Sequence, residues 1–226
     1  EALVARNVRH TFGLPGDFVI GLYDILVRDG RIRPVVMAHE PGAAFAADAY
    51  ARCNGLGVAM VTYCVGGLNC VNGIAQAYAE KSPVLVISGG PGVAERKPNA
   101  LLNHRVKTFE TQRNVFEEVT CVATILDNPV TAPRQIMEAL AAIQRYNRPG
   151  YLEIPRDMYN AAVELTQGSA WRTGLITGYG EALEEGVQAV LDPLSVGATP
   201  VPTEVAKAAA YGGAAGMGMG WGALNQ

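Results

Sequence analysis

The sequence predicts an α/β protein: a six-stranded, mostly parallel sheet with helices on both faces, followed by a linker and an incomplete second domain. Three observations predict it. Short runs with strand character alternate with helical-period segments six times before residue 160. The strands are apolar throughout rather than alternately polar, as in a sheet covered on both faces. Four segments that follow strands, "GLPGD" (13–17), "AHE" (38–40), "TYCVGG" (62–67) and "SGGPG" (88–92), would share one rim. In parallel sheets ligands gather at that carboxyl rim.

Each element has its own justification. Residues 2–10 carry helical character and lead into "HTFGLPGD", a short strand ending in a glycine–proline turn. "FVIGLYDILVRDG" has apolar residues at helical spacing and closes on Gly30, a C-terminal cap. "RPVVMA" is a short buried strand, and 41–53 an alanine-rich helix. "GVAMVTY" is a strand and "GGLNCVNGIAQAYAEK" one glycine-started helix. "SPVLVISGG" is the clearest strand, an unbroken apolar run. "TQRNVFEEV" reads as helix, "TCVATIL" as strand, "APRQIMEALAAIQRY" as a strongly amphipathic helix and "RPGYLEIP" as the last strand.

After Tyr159 the character changes. Residues 161–180 read as a linker, and 181–226 as the remnant of a second domain, with one amphipathic helix in "EALEEGVQAVLDPLS". From Val196 the chain is rich in Gly, Ala and Pro without periodicity, so a truncated or poorly ordered tail is expected.

The totals narrow the function. The 226 residues suffice for one α/β domain and part of another, and 49% of them are hydrophobic. A net charge of −3 gives no electrostatic reason to expect nucleic acid or an acidic membrane surface. No apolar run approaches the ~20 residues that span a bilayer, so a soluble protein is expected. The cysteines Cys53, Cys64, Cys70 and Cys121 form no Cys-x-x-Cys pair and accompany only three histidines. They read as reduced, mostly buried thiols of a cytoplasmic protein, without a zinc site. The chain opens on Glu1 without a secretory n-region or h-region, which reads as no signal or an incomplete N-terminus. No Gly-x-Gly-x-x-Gly, Gly-Lys-Ser/Thr or Gly-x-Ser-x-Gly motif occurs, so neither a nucleotide enzyme nor an α/β-hydrolase is expected.

One residue stands out. In "MAHEPGAAFAADAYAR" (37–52), Glu40 precedes Pro41 at the mouth of a helix built from small residues. Pro41 suits a first helical turn, which would make Glu40 the N-cap beside unpaired N–H groups. Either plain capping or a carboxyl group held for chemistry fits that position.

Five ordered segments carry a resemblance: "FGLPGDF" (12–18), "HEPGAAFAADAYAR" (39–52), "VTYCVGGLNCVNGIAQAYAEKSPVLVISGGP" (61–91), "LLNHRVKTFETQRNVFEEVT" (101–120) and "RPGYLEIPRDM" (148–158). Together they resemble the N-terminal, pyrimidine-binding domain of thiamine-diphosphate-dependent 2-oxo-acid decarboxylases, in the phenylpyruvate, indolepyruvate and pyruvate decarboxylase branch. The likeness covers residues 1–160, and the 181–192 helix resembles the opening of that family's middle domain. It implies that Glu40 hydrogen-bonds the cofactor's aminopyrimidine ring, so that a ring nitrogen can take the proton from the reactive thiazolium carbon. Burial among alanines would help the carboxyl group hold a shared proton. Asp17 matches an aspartate that handles protons after carbon dioxide leaves. It also fits an N-cap. His104 matches the second histidine of a substrate-facing pair, and Asn103 stands in place of the first. Pro15, Gly16, Thr62, Val65 and Asn69 match the cofactor's surroundings, while His10 and His39 are expected to be structural. Gly67 stands where pyruvate decarboxylases often carry glutamate.

The family's Gly-Asp-Gly and Asn-Asn motifs, which bind Mg2+ and the diphosphate in a C-terminal domain, do not occur in this sequence. No metal ligand is therefore assigned here, and the chain is read as an incomplete enzyme, inactive alone. The complete enzyme is expected to be a homodimer or homotetramer acting on a small 2-oxo acid. The alternatives are an acetolactate-synthase or benzoylformate-decarboxylase relative, or a non-catalytic binding or assembly module of the same fold.

Overall fold

The computed structural model describes residues 1–98 and 100–161. Apart from Ala161, the expected linker and second-domain remnant lie outside the described residues. Helix α1 (Ala2–Ala5) is a single turn, and helical character does not continue to residue 10 because Asn7 takes a left-handed φ of 58°. Strand β1 (His10–Gly13) opens the sheet, followed by helix α2 (Ile20–Asp29), which Gly30 caps with φ 73°. Then come β2 (Arg33–Val36), α3 (Glu40–Asn54), β3 (Gly57–Val61), α4 (Val65–Asn69) and α5 (Val71–Ala79). β4 (Val84–Gly90), α6 (Thr111–Glu117), β5 (Ala123–Ile125), α7 (Ala132–Tyr146) and β6 (Gly150–Pro155) complete the set.

The six strands lie in the order β2-β1-β3-β4-β6-β5, and every pair is parallel. The α/β expectation therefore holds, with an all-parallel rather than mostly parallel sheet. All residues of β3 and β4 are buried. Because successive strand side chains point to opposite faces, both faces of the centre are covered. On one face Ala59 and Val61 meet Ala44, Ala47 and Ala51 of α3 and Ile74 and Ala77 of α5. The alanines let the helices approach closely: a side chain at Gly73 would begin 2.6 Å from the Ala44 methyl.

Two expectations are corrected. β2 is an edge strand with exposed Arg33 and Val36, not a buried one, since its outer side has no partner strand. The helix expected over 66–81 is two helices that meet at Cys70. The Cys70 N–H is shared between the carbonyls of Gly67 and Leu68, and its thiol donates to the Glu40 carbonyl at 3.2 Å.

The chain turns back on itself between β1 and β3. β1 leads outward to β2, and β3 begins the run in the other direction, so the crevice at their carboxyl ends is the topological switch point.

Behind that crevice a carboxylate is fully buried. Glu153 on β6 receives the Arg96 guanidinium at 2.8 Å and the Tyr151 hydroxyl at 2.7 Å. Burial pushes the Glu153 carboxyl above its ordinary range, while the Tyr151 hydrogen bond and the Arg96 charge pull against that rise. Removing the cation should be costly because a buried charge would remain. Arg96→Met is expected to destabilise the fold by about 3 kcal/mol at neutral pH. Glu153 would then be raised further, so the penalty operates above the pH where an unfolded glutamate titrates. It fades as pH falls and Glu153 takes a proton. Chemical denaturation of both proteins at pH 7 and near pH 4.5 measures this, and an equal penalty at the two pH values would contradict it.

Candidate functional site

The segments expected on one rim do follow β1, β2, β3 and β4. Two groups of polar side chains form there, and Thr62, just beyond β3, sits between them.

The first group centres on Glu40. Glu40 is not the N-cap of α3: His39, with extended backbone, holds that position, and no side-chain cap is made. Pro41 occupies the second helical position rather than the first, so Glu40 falls inside the first turn. Its carboxylate turns away from the helix backbone and accepts the Asn69 side-chain amide at 3.0 Å on Oε2. Asn69 is the last residue of α4, and the same Nδ2 lies 3.0 Å from His39 Nε2. An amide nitrogen carries two hydrogens, so it can serve both partners, with the His39 proton then on Nδ1. Glu40 is half-buried, not enclosed, because α3 starts at the rim rather than beneath it.

The second oxygen of Glu40 is available. Among the described residues no group donates to Oε1, and a methyl added at Gly66 would stand 3.4 Å from it. Gly66 is thus a floor without a side chain beside an uncommitted carboxylate oxygen. An open acceptor oxygen beside such a floor suits an amino or ring N–H group of a flat nitrogen heterocycle. Capping is excluded as the use of this carboxylate; ligand binding is not.

The second group hangs from the turn after β1. Pro15 is exposed, and Gly16 lies over Thr62, where an added methyl would begin 2.6 Å from the Thr62 Cβ. Thr62 Oγ1 accepts the Phe18 N–H at 3.3 Å. Thr62 is therefore buried beneath the turn, with its hydroxyl already engaged. Asp17 is exposed and accepts the Asn103 amide at 3.2 Å. His104 takes a left-handed φ of 66°, and its ring meets Phe18 edge-on at 6.4 Å. Its Nδ1 is buried without a hydrogen-bond partner among the described residues. Val65 stands exposed at the start of α4.

The structure thus joins Glu40 to Asn69, and Asp17 to Asn103. No hydrogen bond links the two groups among the described residues. His39, expected to be structural, touches the Asn69 amide that also serves Glu40. His10 packs edge-on against Tyr50 at 5.9 Å, away from both.

Cys64 precedes α4 with φ 54° and ψ −87°, a conformation that costs a non-glycine residue about 1–3 kcal/mol. Its amide donates to the side-chain oxygen of Gln112, a fully buried residue that sequence reasoning missed. All four cysteines are free, but only Cys64 and Cys70 are buried, Cys121 is half-buried and Cys53 is exposed. The expectation of mostly buried thiols is corrected to that extent. Among the described residues no cluster of three His, Cys, Asp or Glu could hold a metal ion, and no helix is long and apolar enough to cross a membrane.

The thiols give a direct check on the Glu40 group. Burial, and then the nearby Glu40 charge, push Cys70 up to about 12, and burial pushes Cys121 up to about 11. Iodoacetamide at pH 8 is expected to label Cys53 rapidly and Cys70 only after denaturation. Mass spectrometry of the alkylated peptides reads the order, and early labelling of Cys70 would mean that α3 and α4 are not packed as described.

Residues 1–119 match the family model described as "Thiamine pyrophosphate enzyme, N-terminal TPP binding domain". The chain is 48% identical over 166 residues to an indole-3-pyruvate decarboxylase of Azospirillum brasilense, covering 73% of this chain and 30% of that protein. It is 37% identical over 158 residues to a probable pyruvate decarboxylase of Schizosaccharomyces pombe, covering 69% and 28% respectively. A pyruvate decarboxylase of Neurospora crassa matches at 33% over 203 residues, or 89% and 36%. The chain therefore spans about a third of the length of these relatives.

Proposed function

The chain belongs to the thiamine pyrophosphate enzymes and carries their N-terminal TPP binding domain, and on that premise we propose that it is the pyrimidine-binding part of a 2-oxo-acid decarboxylase. The observation that carries the reading is Glu40: a half-buried carboxylate at the switch point, withdrawn from capping, with one oxygen fixed by Asn69 and the other uncommitted. Thiamine diphosphate supplies a nucleophilic thiazolium carbon and an electron sink for decarboxylation. This chain's task is to bind and orient its pyrimidine end. Glu40 Oε1 would face the ring and hold a proton there, Asn69 fixes the carboxylate plane, and Gly66 leaves room for a flat ring. Asp17, with Asn103 and His104, would form the substrate-facing group that handles protons.

For the substrate we take an aryl-pyruvate. The 48% identity to a protein named indole-3-pyruvate decarboxylase supports it. We assign the diphosphate and its Mg2+ to a separate Gly-Asp-Gly and Asn-Asn domain of the complete enzyme, a cytoplasmic homodimer or homotetramer.

Two outcomes test this. In the complete enzyme, Glu40→Gln is expected to slow proton–deuterium exchange at the cofactor's C2 by at least about a hundredfold, the lower range for a positioned acid or base. An unchanged exchange rate would remove Glu40 from the role. The 226-residue chain alone is expected to release no carbon dioxide from phenylpyruvate and to bind thiamine diphosphate weakly by calorimetry. Tight, magnesium-dependent binding by this chain would place the diphosphate site within it.

A further inference from the structure

We propose that Gln112 is a positioning residue: its buried amide pins the strained Cys64 backbone and so holds Asn69 against Glu40. The proposal deepens the reading of Glu40 above and rests on it for its consequence, although not for its geometry.

Gln112 is the second residue of α6 and is fully buried. Its Oε1 accepts the Cys64 N–H, and its Nε2 donates to Ser88 Oγ at 3.0 Å. Ser88, on β4, is also fully buried and donates to the Gly89 carbonyl at 2.8 Å. Both ends of the amide are therefore engaged by β4 and the β3 loop, and a flipped amide would set an N–H against the Cys64 N–H. The amide also occupies the space beside Gly67. A methyl added there would begin 2.0 Å from Gln112 Nε2, so position 67 must lack a side chain while Gln112 stands where it does.

The link to Glu40 runs through one short helix. Cys64 directly precedes α4, five residues long, and its carbonyl accepts the Leu68 N–H at 2.7 Å. The Gly67 N–H returns to the Thr62 carbonyl at 3.1 Å. Asn69 ends this helix. With so few residues, relaxation of Cys64 to a negative φ would turn α4 as a body and move the Asn69 amide relative to Glu40. Gln112 touches neither the carboxylate nor any group expected to meet a ligand. It acts through Cys64.

The test uses the isotopically labelled 226-residue chain without cofactor, with two readouts by NMR: hydrogen exchange of the Cys64 amide, and the side-chain NH2 resonances of Asn69. Gln112→Leu is expected to speed Cys64 exchange about tenfold or more. It should also move the Asn69 NH2 pair toward the positions of a solvated amide. Gln112→Glu is the conservative variant: its carboxylate still accepts the Cys64 N–H, and the Ser88 hydroxyl can turn to donate to the other oxygen, so both readouts should stay closer to wild type than in Gln112→Leu. A folded Gln112→Leu protein with unchanged Asn69 resonances would overturn the proposal. Should that variant not fold, Gln112→Met, which keeps the side-chain length and lacks the acceptor, decides instead: faster Cys64 exchange with unchanged Asn69 resonances, or no change at Cys64, overturns it. No cofactor enters the measurement, so its failure would leave the role of Glu40 standing. A failed C2-exchange test would likewise leave the clamp intact.

Discussion

The seat of Thr62 is the constraint from which the rim is built. This one buried residue accepts the Phe18 amide on its hydroxyl, and its carbonyl accepts the Gly67 amide. Its Cβ lies under Gly16 and its Cγ2 under Gly66. The turn after β1 and the loop after β3 are therefore fixed to the same side chain. Each can approach only because it presents a glycine there. A fully extended exit from β3 could not do this. The chain has to reverse sharply at Cys64, which accounts for a non-glycine residue in a costly conformation at this point.

The carboxylates on and behind the rim are held in different ways. Glu153 is buried and opposed by a guanidinium and a phenol, the arrangement of a charge that must not move. Glu40 and Asp17 each receive a single neutral amide, from Asn69 and Asn103. An amide orients a carboxylate without neutralising it, and it leaves lone pairs for a further partner.

Much of the fold was legible. β4 is an unbroken apolar run, and α7 has an apolar stripe at helical spacing, so the boundaries of α7 were read correctly. The break at Cys70 was not legible, because a run of small residues has no periodicity to interrupt. β2 was misread because two valines and a proline look alike in a buried and an edge strand. Pairing order, which decides between them, is not written in the strand itself. For Glu40 the expected N-cap lies one residue too late, since His39 holds that position, and that one residue separates a cap from a carboxylate that turns to Asn69. Gln112 escaped notice because a glutamine near a helix start reads as solvated. A signal was present: Phe116, four residues on, shares its helix face and is fully buried.

The charges of the rim also indicate which part of the cofactor this domain can serve. Three arginines lie on the segments beside the site, and their donors are already engaged. Arg96 is committed to Glu153, Arg156 to Glu95, and Arg105 to the carbonyls of Pro98 and Ala100 while stacking over Phe109. The lysines of the same loop, Lys97 and Lys107, are exposed. What the rim offers is an oriented carboxylate, an amide and a side-chain-free floor, which suit a flat, nitrogen-bearing ring. Because these arginines are paired with protein groups elsewhere, Glu40 accepts only from the neutral Asn69 amide among the described residues.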